Sequence, residues 1–276
     1  MLKVAFQGER GAFSEDAAIK LFGGEVDFLP CIYLRDVFQA VLDDKVNFGV
    51  VPVENSQAGS INETYDLLLA YPLNIFAEAV LRISHCLMAL PGEKLADIRA
   101  IYSHPQALAQ CEEFLHRLMA EIIPIYDTAG SAKMIKDKEL RGCAAIASQK
   151  AADIYGLEVL AAKIETNVNN YTRFLALAKK KAKPTERNKT SIVFTAKHVP
   201  GALYSILGIF AKRNINLTKL ESRPGKSKPW EYVFYVDFEG HVDDELYQEA
   251  IKELQQEATF VKLLGSYPQA ESSELA

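Results

Sequence analysis

The chain has 276 residues and a formal net charge of -5, with hydrophobic residues at 49% and charged residues at 24%. This composition is typical of a folded, water-soluble protein, and the length predicts two units rather than one. The weak acidic excess argues against general nucleic-acid binding, which usually requires a basic excess on one face. An anionic small molecule is still allowed, because local cations and backbone N–H groups hold such a ligand.

The N-terminus has no feature of a secretory signal. Met1 leads straight into a strand-like segment, without a longer apolar core or a small-residue cleavage site. The most apolar long stretch, Leu67 to Leu90, is interrupted by polar and charged side chains that a bilayer core would penalise, namely Asn74, Glu78, Arg82 and His85. We therefore expect a cytoplasmic protein that neither spans nor binds a membrane.

The cysteines show no pattern of a metal site or a disulfide framework. They are scattered along the chain, without a Cys-x-x-Cys pair and without a histidine at metal-ligand spacing, at Cys31, Cys86, Cys111 and Cys143. We expect reduced thiols, no disulfide and no metal.

Alternating strand-like and helix-like segments up to about Ala178 predict an α/β body with a mainly parallel sheet. A first strand at 4–7 leads through a glycine turn into a helix capped by Ser14. Further strands are predicted at 48–53, 75–88, 100–103, 122–126, 144–147 and 158–161. Helices are predicted at 35–42, from a capping box at Ser60 to Glu63, from Pro105, after Thr128 and from Ser148.

A basic segment and a second unit follow. Residues 179–189 have six basic residues, one Glu and a Pro, and we interpret them as a solvated linker without chemistry. The next segments predict the order βαββαβ, at 190–196, 201–212, 215–222, 231–238, 243–257 and 260–264. This order predicts a ferredoxin-like module over 190–268 and a tail at 269–276, with fraying from Ser266 onward.

Several short segments carry side chains suited to chemistry, and they lie at strand ends or helix starts, where α/β folds usually bind ligands. They are Gly8 to Ser14, Pro52 to Ser56, Ser103 to Gln106, Asp127-Thr128 and Asn169 to Phe174. Residue chemistry alone leaves ordinary turns and helix caps about as good an explanation. Thr172 and Arg173 point to opposite faces of a regular strand, so both line one site only where the backbone turns.

Taken together and in order, these segments resemble the prephenate dehydratase family. The matching motifs are Gly8 to Ser14, Val53 to Ser56, Ser103 to Leu108 and Asn170 to Phe174. The C-terminal module resembles an ACT domain of the phenylalanine-sensing type, through Gly201-Ala202-Leu203 and Glu221-Ser222-Arg223-Pro224. Because the family-like sequence begins at residue 2, we expect the monofunctional form, without an upstream chorismate mutase domain.

The resemblance implies a fold of class α/β: a two-lobed body similar to type II periplasmic binding proteins, followed by the ACT domain. We expect the catalytic domain at 1–178, with lobe 1 at about 1–76 and 165–178 and lobe 2 at about 77–164. It also implies the conversion of prephenate to phenylpyruvate, carbon dioxide and water in phenylalanine biosynthesis. This elimination needs no cofactor and no metal, only help for the departing hydroxide and orientation of the substrate.

The family's motifs assign roles to individual residues of this chain. Thr172 is implied as the catalytic residue, with Arg173 as a cation for a carboxylate, Asn170 as a neutral positioner and Phe174 as a wall. The implied substrate-binding residues are Ser14, Glu54, Asn55, Ser56, Gln106, Thr128, Asn170, Arg173 and Phe174. A threonine hydroxyl is too weak an acid to give up its proton outright, so a network must complete the transfer, and the final proton donor stays open.

The ACT resemblance implies feedback by L-phenylalanine in a homodimer or a dimer of dimers. The effector would bind between Gly201-Ala202-Leu203 of one subunit and Asn216 with Glu221-Ser222 of the other. Two alternatives stay open: an arogenate dehydratase, which runs the same elimination on the amino analogue, and a non-catalytic amino-acid sensor. The Thr172-Arg173-Phe174 triplet argues against the sensor.

Overall fold

The structure is a computed structural model that describes residues 1–225 and 231–270. The described residues form two compact units. The first consists of Met1–Thr64 and Ala79–Leu175, and the second of Tyr65–Glu78 with the described residues from Ala176 onward. Within the described ranges, no helix is both long and apolar enough to cross a membrane.

Strands and helices alternate through most of the chain before residue 179. The strands are β1 (Lys3–Gln7), β2 (Asp27–Cys31), β3 (Phe48–Asn55), β4 (Gly59–Ser60), β5 (Asn74–Arg82), β6 (Cys86–Ala89), β7 (Ala100–Ser103), β8 (Glu121–Pro124), β9 (Cys143–Ala147), β10 (Glu158–Ala162) and β11 (Tyr171–Ala178). The helices are α1 (Phe13–Phe22), α2 (Leu34–Leu42), α3 (Asn62–Ala70), α4 (Pro105–Gln110), α5 (Glu112–Leu115), α6 (Thr128–Asp137) and α7 (Gln149–Tyr155). The predicted α/β class is confirmed.

These strands form two sheets rather than one mainly parallel sheet. The first has the order β2-β1-β3-β11-β5, with β4 paired to β3, and the second has the order β10-β6-β9-β7-β8. Parallel pairs join β1 to its two neighbours, whereas β6 is antiparallel to both β9 and β10. The prediction of a mainly parallel sheet was wrong for the second sheet, because β6 enters it in the opposite direction to β9.

Local hydrogen bonding moves several predicted element starts. Helix α1 begins at Phe13 with Ala12 as its N-cap, so Ser14 lies in the first turn and does not cap the helix. The capping box at Ser60 is absent, because Ser60 pairs with Glu54 in the β3–β4 ladder and α3 begins only at Asn62. The predicted strand at 75–88 is two strands, β5 and β6. Strand β2 was missed, since its Pro30 is a residue that central strands exclude.

The second unit contains the predicted βαββαβ order. Its elements are β12 (Asn188–Thr195), α8 (Ala202–Ala211), β13 (Leu217–Pro224), β14 (Tyr232–Glu239), α9 (Glu245–Glu257) and β15 (Phe260–Pro268), with sheet order β13-β14-β12-β15. Apolar side chains of the sheet and both helices pack together, among them Phe194, Phe210, Phe238 and Leu254, all at most 1% exposed. Burial of such side chains is the main source of stability for the module.

Strand β15 extends beyond the predicted end of the module's last strand. The Ser266 hydroxyl lies 2.7 Å from that of Thr190, and the Tyr267 hydroxyl lies 2.6 Å from that of Ser191. Both side chains are buried. Fraying from Ser266 was therefore a wrong prediction, because these contacts fix the strand to Pro268. The predicted tail beyond residue 270 lies outside the described residues.

The basic segment before β12 is not solvated throughout. Lys189 Nζ lies 2.7 Å from Glu78 Oε1, and the two side chains are 11% and 1% exposed. Glu78 Oε1 also accepts the backbone N–H of Ala270 at 3.0 Å. The interpretation of Lys189 as part of a solvated charge run was wrong, because a buried carboxylate needs a nearby cation.

Replacing Lys189 tests this ion pair. We expect Lys189→Met to lower the free energy of unfolding by about 3–5 kcal/mol, because it breaks a buried ion pair and removes the ammonium that lies 2.7 Å from the Glu78 carboxylate. The matched control is the double variant Glu78→Gln/Lys189→Met, which removes both charges and should regain most of the loss. Urea denaturation at neutral pH measures both. A change below about 0.5 kcal/mol in the single variant would contradict the prediction.

Candidate active site

The first unit holds a cavity of about 160 Å³ where several strand ends and helix starts meet. Its walls come from the ends of β1 and β3, the start of β11, the helices α1, α4 and α6, and the connections next to these elements. The lining residues are Gln7, Ala12, Phe13, Ser14, Pro52, Asn55, Ile61, Ile83, His85, His104, Gln106, Ala107, Gln110, Tyr126, Asp127, Thr128, Thr172 and Phe174. Six stretches of the sequence, between positions 7 and 174, therefore line one cavity.

Six of the ten predicted catalytic and substrate-binding residues line this cavity: Ser14, Asn55, Gln106, Thr128, Thr172 and Phe174. The other four, Glu54, Ser56, Asn170 and Arg173, are not among the lining residues. Strand alternation explains the positions of Glu54 and Arg173, since neighbours along β3 and β11 face opposite sides of the sheet. The opposite directions predicted for Thr172 and Arg173 agree with this arrangement.

The Thr172 hydroxyl is held by one amide. Asn55 Nδ2 donates to Thr172 Oγ1 at 2.9 Å, and the Thr172 residue is 8% exposed. Asn55 Oδ1 accepts the backbone N–H groups of Gln57 and Ala58, both at 3.0 Å. These two bonds fix which end of the amide faces the threonine. Since Thr172 Oγ1 accepts a bond from Asn55, its own hydrogen is available for a group in the cavity.

Ser56 joins the ends of β3 and β11. Its hydroxyl donates to the carbonyl of Asn169 at 3.0 Å and accepts the N–H of Tyr171, also at 3.0 Å. Its backbone N–H donates to the carbonyl of Tyr171 at 2.8 Å. Ser56 thus keeps Asn55 beside Thr172 without itself lining the cavity.

Arg173 and Glu54 lie on the neighbouring strands and pair with each other. The guanidinium Nη1 lies 3.0 Å from Glu54 Oε1, and the Arg173 side chain is only 10% exposed. This pairing gives the buried cation a counter-charge. The predicted role of Arg173 in binding a substrate carboxylate stays a prediction.

Two lining residues that no predicted motif included belong to the same hydrogen-bond network. Gln110 Nε2 approaches Asn55 Oδ1 at 3.4 Å and Asn170 Oδ1 at 3.5 Å. His85 Nε2 lies 2.9 Å from Gln110 Oε1. Gln110 lies one helical turn after Gln106, a spacing that places both side chains on one face of α4. This spacing is the sequence feature that could have identified Gln110 as a cavity residue. In the sequence, His85 stands out only as a polar residue that interrupts the apolar stretch from Leu67 to Leu90.

Burial controls the charges around the cavity. It lowers the pKa of His85 and His104, although nearby Glu165 and Asp127 oppose the shift, so neutral imidazoles are favoured at neutral pH. Burial also raises the pKa of Asp127, even though its carboxylate accepts the N–H groups of Gly130 and Glu9. The lining residues, all described by the structure, include neither lysine nor arginine.

The turn between β1 and α1 needs glycine at position 11. Gly11 has φ +86°, and a Cβ there would lie 2.7 Å from the Cα of Ala151. The Ser148 hydroxyl donates to the Gly11 carbonyl at 2.6 Å, which joins this turn to the start of α7. The turn presents Phe13 and Ser14 to the cavity at a helix N-terminus, where backbone N–H groups favour anions.

The predicted effector-binding residues lie in the second unit. Gly201 has φ +83° and caps α8, and the next two residues, Ala202 and Leu203, line a second cavity beside β14. Asn216, Glu221 and Ser222 do not line that cavity in this single chain. Glu221 instead lies 3.2 Å from Lys219. Their contribution from a second subunit stays a prediction.

The described residues contain no cluster suited to a metal ion. Across the described ranges, no group of three or more His, Cys, Asp or Glu side chains is placed to hold a metal ion. The four cysteines are free thiols, and burial raises the pKa of Cys111 to about 12.

Comparison with known families matches both units. The family model described as prephenate dehydratase matches residues 4–182, and that of the ACT domain matches residues 190–256. An arogenate dehydratase/prephenate dehydratase of Arabidopsis thaliana is 45% identical over 97% of this chain and 73% of its own length. A bifunctional chorismate mutase/prephenate dehydratase of Aquifex aeolicus is 43% identical over 98% of this chain and 74% of its own length.

Solved structures with the same fold include enzymes of this family. A prephenate dehydratase from Arthrobacter aurescens in complex with L-Phe has a TM-score of 0.89 at 32% identity, covering 99% of this chain and 91% of that one. A protein described as GqqA, a novel type of quorum quenching acylases, has a TM-score of 0.88 at 33% identity, covering 98% and 99%. With the family model and the curated relatives in agreement over nearly the whole length, the chain belongs to the prephenate dehydratase family.

Proposed function

We propose that the chain converts prephenate to phenylpyruvate, carbon dioxide and water. The observation that carries this proposal is the Thr172 hydroxyl, which lines the cavity while Asn55 donates to its oxygen at 2.9 Å. The C–C bond to the ring carboxylate breaks, and its electron pair moves through the ring as the C–O bond to the ring hydroxyl breaks. The leaving hydroxide takes up one proton to become water, and the ring becomes aromatic.

Thr172 acts on the leaving group in this proposal. Its hydroxyl donates a hydrogen bond to the departing oxygen, which lowers the energy of the charge that develops there. Negative charge then grows on Thr172 Oγ1, and the Asn55 N–H stabilises it. The remaining side chains mainly orient the substrate, since the elimination needs no nucleophile.

Removal of the hydroxyl tests this role. We expect Thr172→Ala to keep the fold and to lose turnover by at least about a hundredfold, each tenfold being about 1.4 kcal/mol of barrier. Thr172→Ser is the matched control, because it keeps the hydroxyl and should retain much more turnover. Steady-state formation of the keto-acid product from prephenate measures both. Near-normal turnover in Thr172→Ala would remove Thr172 from the mechanism.

Arogenate is the second candidate substrate, and one observation favours it. Asp127 is the one carboxylate among the lining residues, which the structure describes in full, and lysine and arginine are absent from them. Arogenate carries an ammonium group where prephenate carries a ketone, and a carboxylate favours the cation. The relative from Arabidopsis thaliana is named for both activities.

Asp127→Asn distinguishes the two substrates. Asparagine is also a good N-cap and keeps an oxygen for the Gly130 N–H, so the fold should be retained. If Asp127 binds the ammonium group, kcat/KM for arogenate should fall by roughly tenfold or more relative to kcat/KM for prephenate. The reason is that a hydrogen bond to a charged group contributes about 1.5–3 kcal/mol. An unchanged ratio of the two kcat/KM values would exclude this role.

An acylase function is less well supported by the site. Attack by a threonine hydroxyl on an acyl group requires a base that accepts its proton. The contact that the structure gives for Thr172 Oγ1 is the Asn55 NH₂ group, which donates and cannot act as a base. A sensor without catalysis would likewise have no use for an oriented hydroxyl at this position.

Regulation by L-phenylalanine completes the proposal, together with a cytoplasmic homodimer or dimer of dimers. Its support is the ACT domain at 190–256 and the similar enzyme solved in complex with L-Phe. The effector would be held between the α8 start at Gly201 and the segment containing Glu221 of another subunit. A coupling free energy of about 1–3 kcal/mol would change activity 5- to 150-fold.

Gly201→Ala tests the effector site. The side chain would be strained at φ +83°, so we expect the α8 start to shift and the response to phenylalanine to be lost. Gly208→Ala is the control, because it lies within α8 with nothing within 4 Å of an added Cβ. Activity and melting temperature are measured with phenylalanine up to millimolar levels. The regulatory proposal is wrong if the unmodified protein shows no change in either quantity.

A further inference from the structure

His85 is a buried histidine at the edge of the active-site cavity, outside every motif discussed above. It lies between β5 and β6, is 2% exposed and lines the cavity. Its ring makes an edge contact with Phe13, with centroids 5.6 Å apart. Its backbone N–H donates to the buried Glu165 Oε2 at 2.9 Å, so the residue is held from both sides.

The surroundings of Gln110 determine which proton His85 carries. Gln110 Nε2 approaches two amide oxygens, Asn55 Oδ1 and Asn170 Oδ1, at 3.4 and 3.5 Å. A reversed amide would place the Gln110 oxygen against both of them, so Oε1 must face His85. An amide oxygen only accepts hydrogen bonds. His85 Nε2, at 2.9 Å, therefore carries the proton and donates.

The donors then form a chain with one direction, ending at Thr172. His85 donates to Gln110, and Gln110 donates to the oxygens of Asn55 and Asn170. Asn55 Nδ2 donates to Asn170 Oδ1 at 2.8 Å and to Thr172 Oγ1 at 2.9 Å. Along the branch from His85 through Gln110 and Asn55, each residue donates to the next one, so the threonine oxygen is an acceptor and its own hydrogen is left for the substrate. Such chains strengthen each member.

Packing alone gives a poor reason for a histidine at this position. Within the described residues, His85 Nδ1 is buried without a hydrogen-bond partner. Burying an unpaired polar atom is unfavourable, a cost that an apolar side chain of similar size would avoid. The ring's useful contact is its Nε2–H on Gln110.

We propose that His85 is a positioning residue, which holds the Gln110 and Asn55 amides so that the Thr172 hydroxyl points its hydrogen at the leaving group. It touches the reacting atoms only through these amides. The proposal rests on the proposed elimination at Thr172. It adds His85, which lies in the connection between β5 and β6, to the residues that support this step.

Two substitutions of His85 separate positioning from packing. His85→Leu removes the donor and should lower kcat by roughly ten- to a hundredfold, with KM changed less than about twofold, because the lost contact acts on the transition state. His85→Gln places an N–H near the position of Nε2 and should recover most of kcat. A purely structural role would not distinguish the two variants in this way.

His241→Leu is the matched control. His241 is a second buried histidine, 3% exposed, whose Nδ1 accepts the N–H of Asp243 and whose Nε2 has no partner among the described residues. It belongs to the second unit and is not among the residues that line the active-site cavity. We expect this variant to change the melting temperature while kcat stays within about twofold of the unmodified protein.

A double-mutant cycle with Gln110 completes the test. If the chain exists, His85→Leu should cost little further kcat in a Gln110→Leu background, since the connection is already broken. The proposal is overturned if the two losses multiply, if His85→Leu keeps kcat within twofold, or if only KM changes. Absence of turnover of both prephenate and arogenate in the unmodified protein would instead reject the proposed function, and His85's role with it.

Discussion

The hydrogen bond from Asn55 to Thr172 is the interaction on which the site depends. It exists because β3 and β11 are neighbours in the first sheet and the C-terminal end of β3 lies beside the N-terminal end of β11. Ser56 fastens these ends together, and the N–H groups of Gln57 and Ala58 fix the orientation of the Asn55 amide. The Asn55 amide, at the end of β3, is thereby a preorganised donor, and such donors stabilise developing charge without reorganisation.

The electrostatics of the cavity suit a reaction driven by aromatisation. Burial lowers the pKa of His85 and His104 and so favours their neutral forms. Arg173 does not line the cavity and is paired with Glu54. Polar contacts in the cavity are therefore mainly hydroxyls, amides and backbone N–H groups at helix starts. Such groups orient a substrate and assist a leaving hydroxide, whereas nucleophilic catalysis would need an activated base beside Thr172.

Much of this site was predictable from sequence, and the reasons for the failures are local. Thr172 and Asn55 lie in motifs that resemble the family. Strand alternation indicated opposite directions for Thr172 and Arg173 unless the backbone turned, and the expected role of Arg173 in substrate binding stays a prediction. The prediction of a capping box at Ser60 was wrong because Ser60 pairs with Glu54 in a strand ladder and the helix begins only at Asn62. His85 and Lys189 were missed because their partners, Gln110 and Glu78, are distant along the chain, and only the tertiary fold brings them together.

In the proposed mechanism, the Asn55 amide donates a hydrogen bond to Thr172 Oγ1. The hydroxyl of Thr172 then donates its own hydrogen to the leaving group. The most direct measurement is a crystal structure with an unreactive substrate analogue that keeps the ring hydroxyl. The account predicts that this hydroxyl lies about 2.6–3.2 Å from Thr172 Oγ1, with Asn55 Nδ2 still bonded to the same oxygen. A ring hydroxyl bound to another group, or an Asn55 amide turned away from Thr172, would contradict it.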